Sequence, residues 1–255
     1  MRYGIGALLF LPLVLRRGMP LGRAQPIDLV TIPLFGGILF IVLLSAGLRI
    51  APVADSGVFT PSMLPVYTAV LSFAFLGERF SRARILGFVL IVAGALAVGG
   101  WAALNDGAEG IWRGHLLFTL ASICWAIYTI AFRRSGLDPI TGGALMCFWA
   151  GLFFAVAAVF TGVGFSSQTI GTLAVQVFFQ GVLTGFVATF TFFYAIQHYG
   201  ASRTAAFAAL VPVLAALGGW AFLGEPIGLV KAAGILVVVV GVVLASGAFT
   251  ARRPG

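Results

Sequence analysis

"TPSMLPVYTAVLSFAFLGERFSRARILGFVLIVAGAL" occupies residues 60–96, and "LVPVLAALGGWAFLGEPIGLVKAAGILVVVVGVVL" occupies residues 210–244. Both contain AFLGE, at 74–78 and 221–225, an offset of 147 residues. The same offset aligns Ala54 with Ala201, Pro65 with Pro212, Gly87 with Gly234 and Gly94 with Gly241. Apolar sequence matches itself by chance. A shared proline, a shared Gly-Glu step and two shared glycines in one register do not arise so readily. The pattern is a proline-containing helix, a Gly-Glu turn, and a helix with glycines seven apart. Repeats at a fixed offset define folds.

The rest of the chain sets the environment of that repeat. Of 255 residues, 61% are hydrophobic and only 9% are charged, against about 25% charged in soluble domains. Such a chain cannot cover a water-facing surface, so the fold class is an all-α polytopic membrane protein. A spanning helix needs about 20 apolar residues. Charges and Gly/Pro clusters divide the chain into about nine transmembrane runs: 3–15, 29–48, 53–76, 85–103, 114–132, 140–160, 173–196, 201–223 and 232–249.

The net charge of +8 is spread over short clusters between runs, which excludes a nucleic-acid surface. Cys124 and Cys147 lie inside runs without ligand spacing, so neither a disulfide, a metal nor a cofactor is expected. Arg16, Arg17, Arg23, Arg79, Arg82, Arg84, Arg133, Arg134, Arg203, Arg252 and Arg253 fall on one side. Arg2, Arg49, Arg113 and Lys231 fall on the other. The positive-inside rule then puts the C-terminus in the cytoplasm. Arginine outnumbers lysine 14 to 1, which fits a bacterial inner membrane protein of GC-rich origin.

Carried backwards, the 147-residue register sends run 114–132 to −33 to −15, before Met1, and run 140–160 to −7 to 13. The expected organisation is therefore a first repeat over 1–104 that lacks its first helix and a second repeat of five helices over 105–255. An odd helix count between equivalents makes the halves oppositely oriented, as in secondary transporters.

These stretches resemble the EamA family of the drug/metabolite transporter superfamily. The two quoted segments look like its proline helix, Gly-Glu turn and final helix. "LLFTLASICWAIYTIAFRR" (116–134) looks like the first helix of the second repeat, and "MRYGIGALLFLPLVLRR" (1–17) like the second helix of the first. The resemblance covers the whole chain. It implies ten helices in two inverted five-helix repeats, with a cavity formed mainly by the third, fourth, eighth and ninth helices and aromatic help from the sixth. The missing first helix is the departure: either Met1 is an internal methionine or the chain is a nine-helix variant.

The candidate site residues follow. Glu78 and Glu225 read as structural turns, each placing a carboxylate at the start of the next helix, where unpaired N–H groups accept it. Pro65 and Pro212 read as hinges, since each removes a backbone donor inside a membrane helix. Gly87, Gly94, Gly234 and Gly241 read as packing positions. Gln176, Gln180, Thr184, Thr191 and Tyr194 share a helical face that should point inward, because polar groups are disfavoured in lipid. Trp125 and Tyr128, three apart, form an aromatic wall. Ser56, Thr60 and Tyr67 share another face. Gln180, Thr184, Thr60 and Tyr67 fall on helices that the resemblance assigns to the cavity. His115 and His198 sit at run boundaries, as do all seven acids.

The function implied is an exporter of small organic metabolites such as amino acids, or of drug-like solutes, working as a monomer or homodimer in the lipid bilayer by alternating access. Two rivals stand beside it. An integral membrane enzyme acting on lipid-like substrates would need clustered acids or histidines, so an enzyme is not expected. A truncated, non-functional paralogue is the other.

Overall fold

The computed structural model describes residues 1–97, 110–161, 169–223 and 228–247, and every regular element among them is helical. We number them α1 (Arg2–Arg17), α2 (Pro26–Gly47), α3 (Val53–Gly57), α4 (Leu64–Leu76), α5 (Arg82–Ala95), α6 (Ile111–Ser135), α7 (Pro139–Thr161), α8 (Ile170–Tyr199), α9 (Ala201–Ala208), α10 (Val211–Leu223) and α11 (Leu229–Ala245). Six helical stretches among the described residues are long and apolar enough to cross a membrane: Pro26–Gly47, Asp55–Leu76, Ile111–Ser135, Pro139–Thr161, Ile170–Tyr199 and Ala201–Phe222. Ala232–Ala245 is a shorter apolar helix. The chain is an all-α, multi-pass membrane protein. The expected repeat boundary at 104/105 and Glu225 lie outside the described residues.

The 147-residue register reappears in the element bounds. Helix α4 runs from 64 to 76 and α10 from 211 to 223. Helix α5 starts at Arg82 and α11 at Leu229, again 147 apart. Each proline helix is broken at the matching place. In the first, the π-helical turn Val58–Ser62 and Met63 separate α3 from α4. In the second, Ala209 and Leu210 separate α9 from α10. The sequence expectation of a more distorted first-half helix is met by that π turn, but both helices are discontinuous.

The chain forms two compact units, each drawing on both halves of the sequence. One comprises Met1–Ile41 and Ile127–Gly200. In it α1 packs on α7 and α8 through positions too small to hold a side chain. Gly6 lies against Cys147 and the Gly185 carbonyl, Gly143 against the Phe10 ring, and Gly185 against the Arg2 carbonyl. Small residues let helices approach where water supplies no driving force. Helix α2 begins with Pro26 at its first position. The Gln25 N–H donates to Asp28 Oδ2 at 3.3 Å, in a capping box. Asp138 caps α7 by accepting from the N–H groups of Ile140 (3.0 Å) and Thr141 (3.2 Å), so its carboxylate is occupied in starting that helix.

The other unit comprises Val42–Ala126 and Ala201–Gly255. Its core is the face where α5 and α11 meet, with Phe88, Ile91, Val238, Val242 and Ala245 buried together with Ala206 and Val213. A Cβ on Gly94 would come within 2.8 Å of the Gly234 carbonyl oxygen, and one on Gly87 within 2.7 Å of that of Gly241. Early residues of α5 therefore meet late residues of α11, and the two helices run antiparallel. The four glycines do the close-packing work the sequence assigned them.

Candidate functional site

Helix breaks expose backbone carbonyls, and the sequence supplies replacements at one of them. Pro61 has no N–H to give the Gly57 carbonyl, and the Ser62 hydroxyl donates to that carbonyl at 3.1 Å instead. Pro212 lies against Gly57, so the two proline helices approach each other near their breaks. Before Pro212 the chain tightens, with Ala209 N–H donating to Ala206 O (3.2 Å) and Leu210 N–H to Phe207 O (3.1 Å). Pro65 is buried in the first turn of α4. The two expected hinges thus lie at or beside real discontinuities.

A polar seam joins the first proline helix to α6. The Ser122 hydroxyl donates to Thr60 O at 2.7 Å, and the Thr60 hydroxyl lies 3.4 Å from Phe118 O. The Tyr67 and Thr119 side chains are neighbours on this seam. Trp125 is half-buried on α6. At one end of this seam Asp55 Oδ2 lies 2.8 Å from His115 Nε2, and the Phe59 ring stacks on His115 at 4.5 Å. The Asp55 side chain keeps 6% of its surface and His115 14%. Both lie at run boundaries in the sequence, and the fold makes them a buried pair. One sequence signal pointed there. Asp55 aligns with Ser202 in the 147-residue register, and Ser202 is also buried and bonded to a charged partner.

That partner corrects the reading of Glu78. Helix α4 ends at Gly77, whose φ of 65° and ψ of 19° suit glycine, and the Glu78 N–H returns to Ser72 O at 3.2 Å. Helix α5, however, is capped by the Ser81 hydroxyl, which accepts from the Arg84 N–H at 3.4 Å. Glu78 lies three residues before that cap, so it cannot serve the helix that follows it. Its Oε2 is 2.5 Å from the Ser202 hydroxyl, which is also 3.0 Å from the Ser72 hydroxyl. A hydroxyl has one proton. With that proton given to the carboxylate, Ser202 accepts from Ser72. Glu78 therefore sits at the start of α9, where the helix dipole favours negative charge.

In the first unit, Tyr128 is buried against Gly36, with Phe193 edge-on at 6.0 Å and Phe192 tilted at 6.2 Å. Phe193 in turn stacks on Phe132 at 4.2 Å. Tyr128 thus belongs to an aromatic cluster wider than the expected pair. Helix α8 departs from expectation. Its centre, Val177–Ala188, is π-helical, a form that often marks functional segments. Its buried edge consists of Gly181, Gly185, Thr189, Phe193 and Ile196, while Gln176, Gln180, Thr191 and Tyr194 remain exposed. The expected inward polar face is displaced because the glycines, not the polar residues, allow α1 to approach, with Ile5 on Gly181 and Arg2 on Gly185. The Thr184 hydroxyl donates to Phe179 O at 2.7 Å, a five-residue step that follows the π register. His198 stacks on Tyr194 at 3.9 Å and Nδ1 meets Tyr194 O at 2.9 Å, as a local helix-end contact.

The acid at the start of α2 has a partner far along the chain. Asp28 is 1% exposed, and the Arg134 guanidinium holds its Oδ1 through both Nε (3.0 Å) and Nη2. No motif links positions 106 residues apart, so only the fold reveals this pair.

Comparison with known proteins places these features. The chain is 26% identical over 258 residues to the uncharacterized transporter YyaM of Bacillus subtilis (strain 168), covering 96% of this chain and 82% of that one. It is 28% identical over 167 residues to a probable terminal-alkyne amino-acid exporter of Streptantibioticus cattleyicolor, covering 64% of this chain and 54% of that one. A solved crystal structure of a protein superposes with a TM-score of 0.77 at 21% identity, over 96% of this chain and 86% of that chain, which supports the fold. The model of the EamA-like transporter family matches residues 1–100 and 112–247. With nearly the whole chain matched in two segments, this protein belongs to the EamA-like transporter family.

Proposed function

We propose that this protein is a secondary transporter that exports small organic solutes, amino acids or related metabolites first among them, by alternating access. The observation that carries the reading is the pair of broken proline helices, interrupted at Met63 and at Ala209–Leu210 in the 147-residue register. Discontinuous helices in matching positions of two inverted halves are the pointer to a transporter's solute path. The amino-acid class draws support from the relative described as a probable amino-acid exporter.

In this reading Thr60, Tyr67, Trp125, Tyr128, Gln180 and Thr184 contact the solute. Pro65 and Pro212 are the bending points of two repeats over 1–104 and 105–255. Glu78 follows the turn that ends α4 and braces Ser202 at the start of α9. The C-terminus lies in the cytoplasm and the protein in a bacterial cytoplasmic membrane, following the arginine bias.

The test is counterflow in proteoliposomes. Vesicles loaded with an unlabelled amino-acid mixture are diluted into single labelled amino acids, with protein-free vesicles as reference. Transient accumulation of at least one amino acid is the expected outcome. Accumulation of none across the panel, by protein verified as folded, would overturn the amino-acid reading.

A further inference from the structure

A groove of about 910 Å³ runs along the first unit between α1, α2 and α7. That volume falls within the range of about 300–1,000 Å³ typical of ligand sites. Its walls are almost wholly apolar, and Leu11, Val14, Leu34, Ile38, Phe148 and Trp149 are representative. Several of these are large apolar side chains left uncovered: Leu11 49% exposed, Phe148 57% and Trp149 49%. From Ala7 to Val14 the α1 wall extends about 10 Å, and Met19 and Leu21 continue it beyond the end of that helix.

The charge at that end names the occupant. Arg16 and Arg17 fill the last turn of α1, and Arg23 lies two residues past Leu21. All three are exposed. Among the described residues, neither ion pair includes any of them. The acids at this end of the unit are engaged: Asp28 is buried and neutralised by Arg134, and Asp138 accepts from the first N–H groups of α7. The rim is therefore cationic while the groove behind it accepts only hydrocarbon. A soluble anion would gain nothing from the walls, and a neutral lipid nothing from the rim.

We propose that this groove binds one anionic phospholipid, with an acyl chain along α1 and α7 and its phosphate held by Arg16, Arg17 and Arg23. The chain gains dispersion contacts with Phe148 and Trp149 at fixed positions. The headgroup gains three cations, each of which attracts an anionic lipid surface. Such a lipid fixes α1 against α7 and is separate from the solute path. The inference stands whether or not the protein exports amino acids.

Native mass spectrometry of the detergent-purified protein tests it, using phosphatidylglycerol and phosphatidylcholine with identical chains. One phosphatidylglycerol should remain bound with about tenfold preference over phosphatidylcholine. The triple variant Arg16→Gln, Arg17→Gln, Arg23→Gln should retain the two lipids equally. Those substitutions are on exposed positions, so folding is preserved and can be checked by unchanged melting without lipid. Phosphatidylglycerol with brominated chains, added at one equivalent, should quench the tryptophan fluorescence of the wild type, and Trp149→Phe should remove that component.

Equal retention of the two lipids by the wild type would overturn the proposal. So would preference persisting in the triple variant, quenching unchanged in Trp149→Phe, or a second copy of the chain bound in place of lipid.

Discussion

Gly87 and Gly241 face each other backbone to backbone: a Cβ on Gly87 would lie 2.7 Å from the Gly241 carbonyl oxygen, and one on Gly241 would lie 2.9 Å from that of Gly87. The pair is reciprocal in the register as well as in space. Gly87 corresponds to Gly234 and Gly94 to Gly241, and Gly94 meets Gly234 across the same face. A surface patch that contacts its own counterpart in this crosswise manner is the signature of a two-fold relation. Here one chain supplies both patches. A side chain at either glycine must push backbone away. Gly87→Val is expected to destabilise by about 1–3 kcal/mol, read as a lowered melting temperature in detergent. Gly218→Ala, where an added Cβ meets nothing within 4 Å, should leave melting unchanged or slightly raised.

Asp28 and Arg134 predict a different asymmetry. Removing the cation leaves a carboxylate that is 1% exposed without its partner, at a cost of about 3 kcal/mol for Arg134→Ala. The lower end of the usual range applies because the Arg134 side chain keeps 42% of its surface. Asp28→Asn with Arg134→Gln together should recover most of the loss in a chemical or thermal melt. Equal melting of the single and double variants would show that the pair contributes little.

How much of this was legible beforehand depended on whether the determinant was local. The register of AFLGE paired α4 with α10 and the start of α5 with that of α11, because helix ends are written in nearby charges, glycines and prolines. It also located the breaks, since proline acts on its own backbone. The bonds between Asp55 and His115, and between Glu78 and Ser202, span 60 and 124 residues. Nothing in local pattern fixes such partners. The polarity of α8 misled for a related reason: Gly181 and Gly185 set the packed edge by their size, and size at one helix outweighed polarity.

Ser202 links three elements through one hydroxyl. Ser202→Ala leaves the buried Ser72 hydroxyl and the Glu78 carboxylate each short of a partner, and about 1–3 kcal/mol of stability should be lost. Glu78→Ala with Ser202→Ala should cost little more than the single change, because the coupled groups leave together. A double-mutant cycle on melting temperature measures this, and additive losses would contradict the network.

At Asp55 and His115 the stacked Phe59 ring shields the pair. His115→Ala should strand a buried carboxylate and lower stability by about 3 kcal/mol. His115→Gln can still donate to Asp55 and should retain most of it. Thermal melts of the two variants side by side decide the point, and equal losses would assign the site to packing alone.

The most direct test of the transport account is counterflow of the amino acid found in the screen, comparing the wild type with Pro65→Ala/Pro212→Ala. Alanine returns a backbone donor and removes the fixed proline ring just after each break. The account predicts that the double variant still shows a substrate-dependent rise in melting temperature while counterflow falls about tenfold or more. Counterflow equal to wild type, in a double variant that folds, would contradict it.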